Sequence, residues 1–490
     1  MRTYKFVAAV LFFIAMTAMS EAANWYIAKS ATGSGNGTSW TNAWTDFNEI
    51  NWSSVSCGDT IWVAGNNGGA AYTGNLTPTN KVCTSSTVIN INRVLSTDAV
   101  PVAAPGWQST FDSQVVINNA SVSMNGQYIW INGRVGDAQS SVPYGIQFNN
   151  TTDGWTGVFA DPSSGTILFN ASYVEVHGPA CVTSGTCNNS NWALAVQNGS
   201  KFNVTFDHTW LHQFGEVIHG PYGSGTALTV TNSYIGEDVK VNKAEHEDWL
   251  YTSNPCGSMT FINDRWYSSG NDGIFMDNGG CSAGFTMINN LFFHWGGWAI
   301  EFGKTGTCGP YVLLNNSFIN DSLGSDGNGN EYPYGWIESG GCTFASGTIF
   351  ENNILYNTAL SNFTNAEATY NAGTTANGNS FSCGTGCFSY SLASPISSFN
   401  GVVDLVPAGA NSETVVTADL HLSTAGGTLF SGKCENLATS EGSTYPQLLT
   451  DLDGNPRPGA SQGAWTCGAY QYQGTGTAPA SPVTPDAAVH

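Results

Sequence analysis

The chain has 490 residues, 13 Lys and Arg against 35 Asp and Glu, and a formal net charge of −22, with only 10% of residues charged. Such a surface repels nucleic acid and anionic lipid, so neither is an expected partner. A hydrophobic share of 41% with 12% aromatics excludes a disordered chain.

Residues 1–22 read as a secretory signal peptide. Arg2 and Lys5 form its basic end, 6–19 its apolar run, and Ser20-Glu21-Ala22 a small-x-small cleavage site. The apolar run is too short to span a bilayer. The expected product is secreted or held at the cell surface, as a monomer.

Residues 23–110 read as an N-terminal cap and first rungs, and 111–375 as the body of a β-solenoid. Residues 376–474 read as an excursion and closing segment, and 475–490 as a Pro/Ala/Thr-rich flexible tail. The body is read from its repeats. Between 202 and 357 the runs "FNVTFDHTWLHQFGEVIHG", "GSMTFINDRWYSSGNDGIFMDNGG" and "AGFTMINNLFFHWGGWAIEFGKTG" are variants of one pattern. It returns about every 24 to 37 residues. Each copy holds two short β-rich runs with Asn, Gly and Ser between them, which predicts a stack of rungs about 4.8 Å apart.

All twelve cysteines follow the leader, an even count that predicts disulfides in an exported protein. Cys256, Cys281, Cys308 and Cys342 precede the first strand of successive copies. Cys256–Cys281 and Cys308–Cys342 are therefore candidate bridges between rungs. Cys181–Cys187 and Cys383–Cys387 would close small loops, and Cys57–Cys83 and Cys434–Cys467 would staple the two ends. No Cys-x-x-Cys pair supports zinc.

The opening "WYIAKSATGSGNGTSWTNAWTDFNEI" with "CGDTIWVAG", and the closing "DLDGNPRPGASQGAWTCGAYQYQ", resemble secreted proteins of the pectate-lyase-like superfamily. The resemblance implies an all-β, right-handed parallel β-helix whose last rung the closing segment seals. It implies less about activity, because that fold hosts lyases, hydrolases, epimerases and adhesins.

Laid over one another, the copies align Leu194, Ile218, Leu250, Ile274, Ile300 and Ile337 as an inward column. Ala195, His219, Tyr251, Phe275, Glu301 and Glu338 follow as an outward column. Two residues before the anchors come Trp192, Glu216, Asp248, Asp272, Trp298 and Gly335. A further ladder reads His208, Asn232, Asp264, Asn290, Asn316 and Asn353, and stacked asparagines make it structural.

Glu216, Asp248 and Asp272 fit either a solvated turn or a catalytic column. Three carboxylates one rung apart repel one another unless a proton or cation is shared. Ca²⁺ at Asp248 and Asp272 would relieve that repulsion, although the chemistry requires no cofactor. The rungs ending in Asp248-Trp249-Leu250 and Asn271-Asp272-Gly273-Ile274 also resemble polygalacturonases. That resemblance implies catalytic roles for Asp248 and Asp272. Asn271 stands where that family has its third aspartate, and the family's Gly-His-Gly is missing.

As a hydrolase, Asp272 would be the general acid and Asp248 or Glu216 the base or nucleophile. Glu301 and Glu338 would be a second outward pair one rung apart, close to the retaining separation. Tyr251, Phe275, Trp298 and Trp336 are candidate sugar-stacking rings, with His219 and His246 beside them. As a Ca²⁺-assisted polysaccharide lyase, the chain would use Lys243 or Lys304 as base. Lys243 and Arg265, about one rung apart, resemble the Lys/Arg pair of alginate- and chondroitin-cleaving β-helix lyases, but an ion pair at Arg265 explains that residue equally. A non-catalytic adhesive solenoid is the third reading. In all three the partner is a polysaccharide.

Overall fold

A computed structural model describes residues 22–357 apart from short gaps, the longest being 180–191 and 237–247. It also describes short strands between 380 and 404, then 442–457, 465 and 468–471. Residues 1–21, within the expected signal peptide, and the expected tail at 475–490 lie outside the described residues.

The strands form sheets of 12, 10 and 8 members, here sheets A, B and C. Each strand pairs in parallel with its equivalent in the next copy, which makes a parallel β-helix. Parallel crossovers are right-handed almost without exception. Residues Lys201–Asp207 show why the sequence folds this way. Phe202, Val204 and Phe206 point inward and the residues between them outward, the period of two that a half-buried strand demands. In register they meet Thr226, Leu228 and Val230 of the next rung. The same inward columns continue through Met259 and Phe261 to Phe285 and Met287. These side chains are at most 3% exposed and fill the bore.

Each rung carries three strands, where the sequence pattern predicts two. The strands of sheets A and B are almost contiguous: Lys201–Asp207 is followed at once by Trp210–His212. Only His208 and Thr209 separate them, too short a break to register as a turn in the sequence.

That corner also corrects the asparagine ladder. His208, Asn232, Asn263, Asn289, Asn315 and Asn352 all hold φ between 52° and 58°. This is the left-handed region that Asn tolerates better than most residues. The next residue in each rung is buried: Thr209, Ser233, Asp264, Asn290, Asn316 and Asn353, each fully. The column His208, Asn232, Asp264, Asn290 therefore mixes two adjacent phases. The register sets Asp207 against Thr231, and Thr231 against Ile262, so Asp264 lies across from Ser233.

The closing segment is bonded along the side of the helix. Asn289 Nδ2 donates to the carbonyls of Gln447 and Thr450 at 3.0 and 2.9 Å, and Asn315 Nδ2 to Gly468 at 3.3 Å. Arg265 pairs with Asp453 at 2.9 Å, the ion-pair reading of that residue. The segment is thus strapped along several rungs at the asparagine corner. At the other end Cys57 and Cys83 form the expected disulfide. Cys256 and Cys308 are also disulfide-bonded. Cys181, Cys187, Cys281, Cys383, Cys387, Cys434 and Cys467 lie outside the described residues, as does the side chain of Cys342.

Candidate functional site

Sheet C carries the residues that the sequence singled out. Its register sets Leu194 across from Ile218, Ile218 from Leu250, Leu250 from Ile274, Ile274 from Ile300, and Ile300 from Ile337. Ala195, His219, Tyr251, Phe275, Glu301 and Glu338 follow in the same register. Both expected columns are present, rung for rung.

The carboxylates before the anchors are not on the open face. Asp248 has no exposed surface, Glu216 is 4% exposed and Asp272 8%. Two positions before an inward residue is again an inward position, because strand side chains alternate. Asp272 Oδ1 accepts the backbone N–H of Trp298 at 2.6 Å, a capping role across the rung. The column is therefore buried and not solvated, while the backbone-capping part of the turn reading holds for Asp272. Trp298, in the same phase, is 6% exposed, and Phe275 is outward but also only 6% exposed. Neither offers an open ring face. Trp249 and Trp295 are core residues.

His219 sits in a different setting. Its Nδ1 is 2.5 Å from Glu216 Oε1 and its Nε2 is 3.1 Å from the Tyr222 hydroxyl. The ring stacks on Trp192 at 4.5 Å between centroids and on Tyr251 at 5.7 Å. Gly220 delivers Tyr222 to this place. It holds φ 103°, and a Cβ there would lie 2.3 Å from the Val196 carbonyl oxygen, so only glycine makes the turn. Burial pushes the Tyr222 phenol well above its ordinary range, and the Glu216 charge adds to the rise. The phenol therefore keeps its proton at neutral pH. With His219 Nδ1–H donating to Glu216, Nε2 is left to accept that proton. The result is a carboxylate–imidazole–phenol chain.

One rung on, the Tyr251 hydroxyl donates to Asp277 Oδ2 at 3.3 Å. Burial, then the Asp277 charge, pushes the Tyr251 phenol up to about 12. Tyr251, half-buried, lies 5.5 Å from the Phe275 ring. Glu301, half-buried, continues this outward column, and the backbone register sets Glu338 across from it.

The three parallel sheets make the architecture that of a parallel β-helix. No family model matches the chain, and no curated protein matches it significantly. Solved structures are similar to it, two of them as follows. One is a rhamnogalacturonan lyase, at 11% identity and a TM-score of 0.31, covering 70% of this chain and 83% of that one. The other is a PL6 family polysaccharide lyase from Pseudopedobacter saltans, at 10% identity and a TM-score of 0.27, covering 75% and 93%. Values this low bear on no activity, and the reading of the site rests on its own geometry.

Tyr222 and Asp277 were not singled out in the sequence. Glu216, His219 and Tyr222 are spaced by three, which marks no face of a strand. The turn at Gly220 brings them together, and an isolated His-Gly-Pro-Tyr carries no such signal. His246, Lys243 and Lys304 lie outside the described residues, and for Trp336 and Glu338 only the backbone is described. Among the described residues no three His, Cys, Asp or Glu side chains converge as a metal site. The expectation of Ca²⁺ at Asp248 and Asp272 therefore has no cluster to support it there.

Proposed function

We propose that the chain is an exported polysaccharide-cleaving enzyme that works from sheet C, with Tyr222 as the proton-transfer group. One observation carries this reading: the hydrogen-bonded chain Glu216–His219–Tyr222, set between the Trp192 and Tyr251 rings. Trp192 is buried against His219, so half-buried Tyr251 is the ring of this group left to meet the flat apolar face of a pyranose, and proton transfer is what cleavage of a glycosidic bond needs.

Hydrolysis is the first reading. The departing sugar oxygen becomes strongly basic as its bond to the anomeric carbon breaks, so even a weakly acidic phenol can protonate it. Water adds to the anomeric carbon, and its surplus proton returns to Tyr222 through His219 Nε2. Glu216 balances the imidazolium charge at Nδ1. The transition state is oxocarbenium-like and positive. Glu216, Asp277 and Glu301 place negative charge along the face and favour it. The same field disfavours a uronate, which fits a neutral glycan.

β-Elimination is the second reading. Here the phenol, which burial and the Glu216 charge hold protonated, must pass its proton to His219 Nε2 before a phenolate can act as base. A uronate would then need Ca²⁺ or a cation such as Lys243 or Lys304 to offset its charge.

The test is a polysaccharide panel with and without Ca²⁺, reading reducing ends and the ultraviolet absorbance of unsaturated uronates together. Reducing ends without absorbance, lost in Tyr222→Phe and His219→Ala, are expected. Both signals together would move the reaction to elimination. No cleavage by a folded protein would overturn the proposal and favour the adhesive solenoid, while full activity in Tyr222→Phe would overturn the role given to Tyr222.

A further inference from the structure

The buried column at the corner between sheets A and B repeats one set of bonds. Asn290 Oδ1 accepts the backbone N–H of Asp264, Asn316 Oδ1 that of Asn290, and Asn353 Oδ1 that of Asn316, each at 2.9 Å. The side-chain amides fill the other half of the pattern. Asn290 Nδ2 donates to the Phe261 carbonyl and to Asn316 Oδ1, both at 3.0 Å. Asn316 Nδ2 donates to the Met287 carbonyl at 3.0 Å and to Asn353 Oδ1 at 2.9 Å. Every buried polar atom named here has its partner, as burial requires.

Asp264 stands in the same column with half of that equipment. Its Oδ1 accepts the Ser233 N–H at 2.9 Å, the bond that each asparagine Oδ1 makes. Its Oδ2 takes the place of the amide nitrogen, is buried, and has no hydrogen-bond partner. By the repeat, the atoms around that place are acceptors. One is Asn290 Oδ1, and the other is the carbonyl of Val230, the register partner of Phe261. An ionised Oδ2 there would face these two oxygens, while the backbone N–H groups of Ser233 and Ile262 favour the charged form of the carboxyl.

We propose that Asp264 is a neutral carboxylic acid in the folded protein, its Oδ2–H donating within the ladder where its neighbours use an amide. The acid thereby acts as a pH-sensitive element in the wall of the helix. Two charged groups bear on it. Asp207 opposes its ionisation, and Arg265 favours it. Arg265, however, is bound to Asp453 and lies over the Tyr234 ring at 5.2 Å. Burial dominates both and raises the Asp264 pKa well above the usual carboxylate range.

The sign follows from the direction of that shift. In the unfolded chain Asp264 ionises near pH 4, while in the fold it holds its proton to higher pH. Its contribution to stability is complete below about pH 4 and is lost as pH rises towards the folded pKa. Asp264→Asn restores a donor that does not titrate.

The experiment is thermal unfolding of the wild type and Asp264→Asn from pH 4 to pH 8, with infrared spectra of both at pH 7. The wild-type Tm is expected to fall by a few degrees more than that of the variant across this range, and the variant to melt higher at pH 7. The wild type should show a protonated carboxyl carbonyl band that the variant lacks. Parallel Tm curves, a variant that melts lower at pH 7, or a wild-type spectrum without that band would each overturn the proposal. Absence of the band from the wild type would overturn the proposal even if the variant fails to fold.

Discussion

The corner between sheets A and B and the turn entering sheet C are built by the same repeat, yet they behave oppositely. At the corner, successive rungs place Asp264, Asn290, Asn316 and Asn353 in one buried column with one bonding pattern. At the turn entering sheet C the equivalent positions read Trp192, Glu216, Asp248, Asp272 and Trp298, so the side chain changes from rung to rung. Asp272 caps a backbone amide across the rung, while Glu216 turns to a histidine on its own rung. Uniformity along a solenoid marks a stabilising ladder, where each rung satisfies the next. Loss of uniformity marks the place where one rung has been given a separate task.

The largest expected break in this comparison is in activity. Tyr222→Phe and His219→Ala should each lower the cleavage rate by about 10²–10⁴-fold with an unchanged circular dichroism spectrum. Loss of secondary structure in parallel would make the chain of hydrogen bonds structural, like the corner. Next comes the ladder. Asn316→Leu removes a buried donor and acceptor and strands the Asn290 N–H. It should cost about 2–4 kcal/mol in chemical unfolding, while activity in the folded fraction stays near wild type. Gly220→Ala should cost about 1–3 kcal/mol, because its φ and the Val196 carbonyl both oppose a Cβ. Here the activity should fall as well, since that turn positions Tyr222. The smallest effect is expected from Asp272→Asn. The amide oxygen can still accept the Trp298 N–H, so the rate should stay within about 3-fold of wild type and stability within about 1 kcal/mol. A larger loss of rate would return Asp272 to the reacting groups.

Much of the fold was legible because a solenoid converts sequence period into spatial neighbourhood. The anchors Leu194 to Ile300 and the outward column from Ala195 to Glu338 follow from matching copies, and the observed register agrees at every step. The asparagine ladder was misplaced by one residue over its first two members, since two adjacent columns are both rich in Asn and only backbone φ separates them. The carboxylates were misjudged for a simpler reason. Acidic residues before a strand read as solvent-facing, whereas alternation from an inward anchor turns them inward, where Asp248 and Asp272 are buried. Glu216 survives in the proposed site through a partner, His219, that comes three residues later on the same rung.

By itself the sequence determined the β-solenoid and the rung register of sheet C, since both depend on period and alternation, which are written linearly along the chain, while the Cys57–Cys83 staple was one candidate pairing that the structure then bore out. Only the tertiary structure decided which acids are buried, which bond Asp264 lacks, and that Glu216, His219 and Tyr222 form one chain. Those outcomes depend on the turn at Gly220 and on what the neighbouring rungs place around each side chain, and neither is carried by a residue's own position in the repeat.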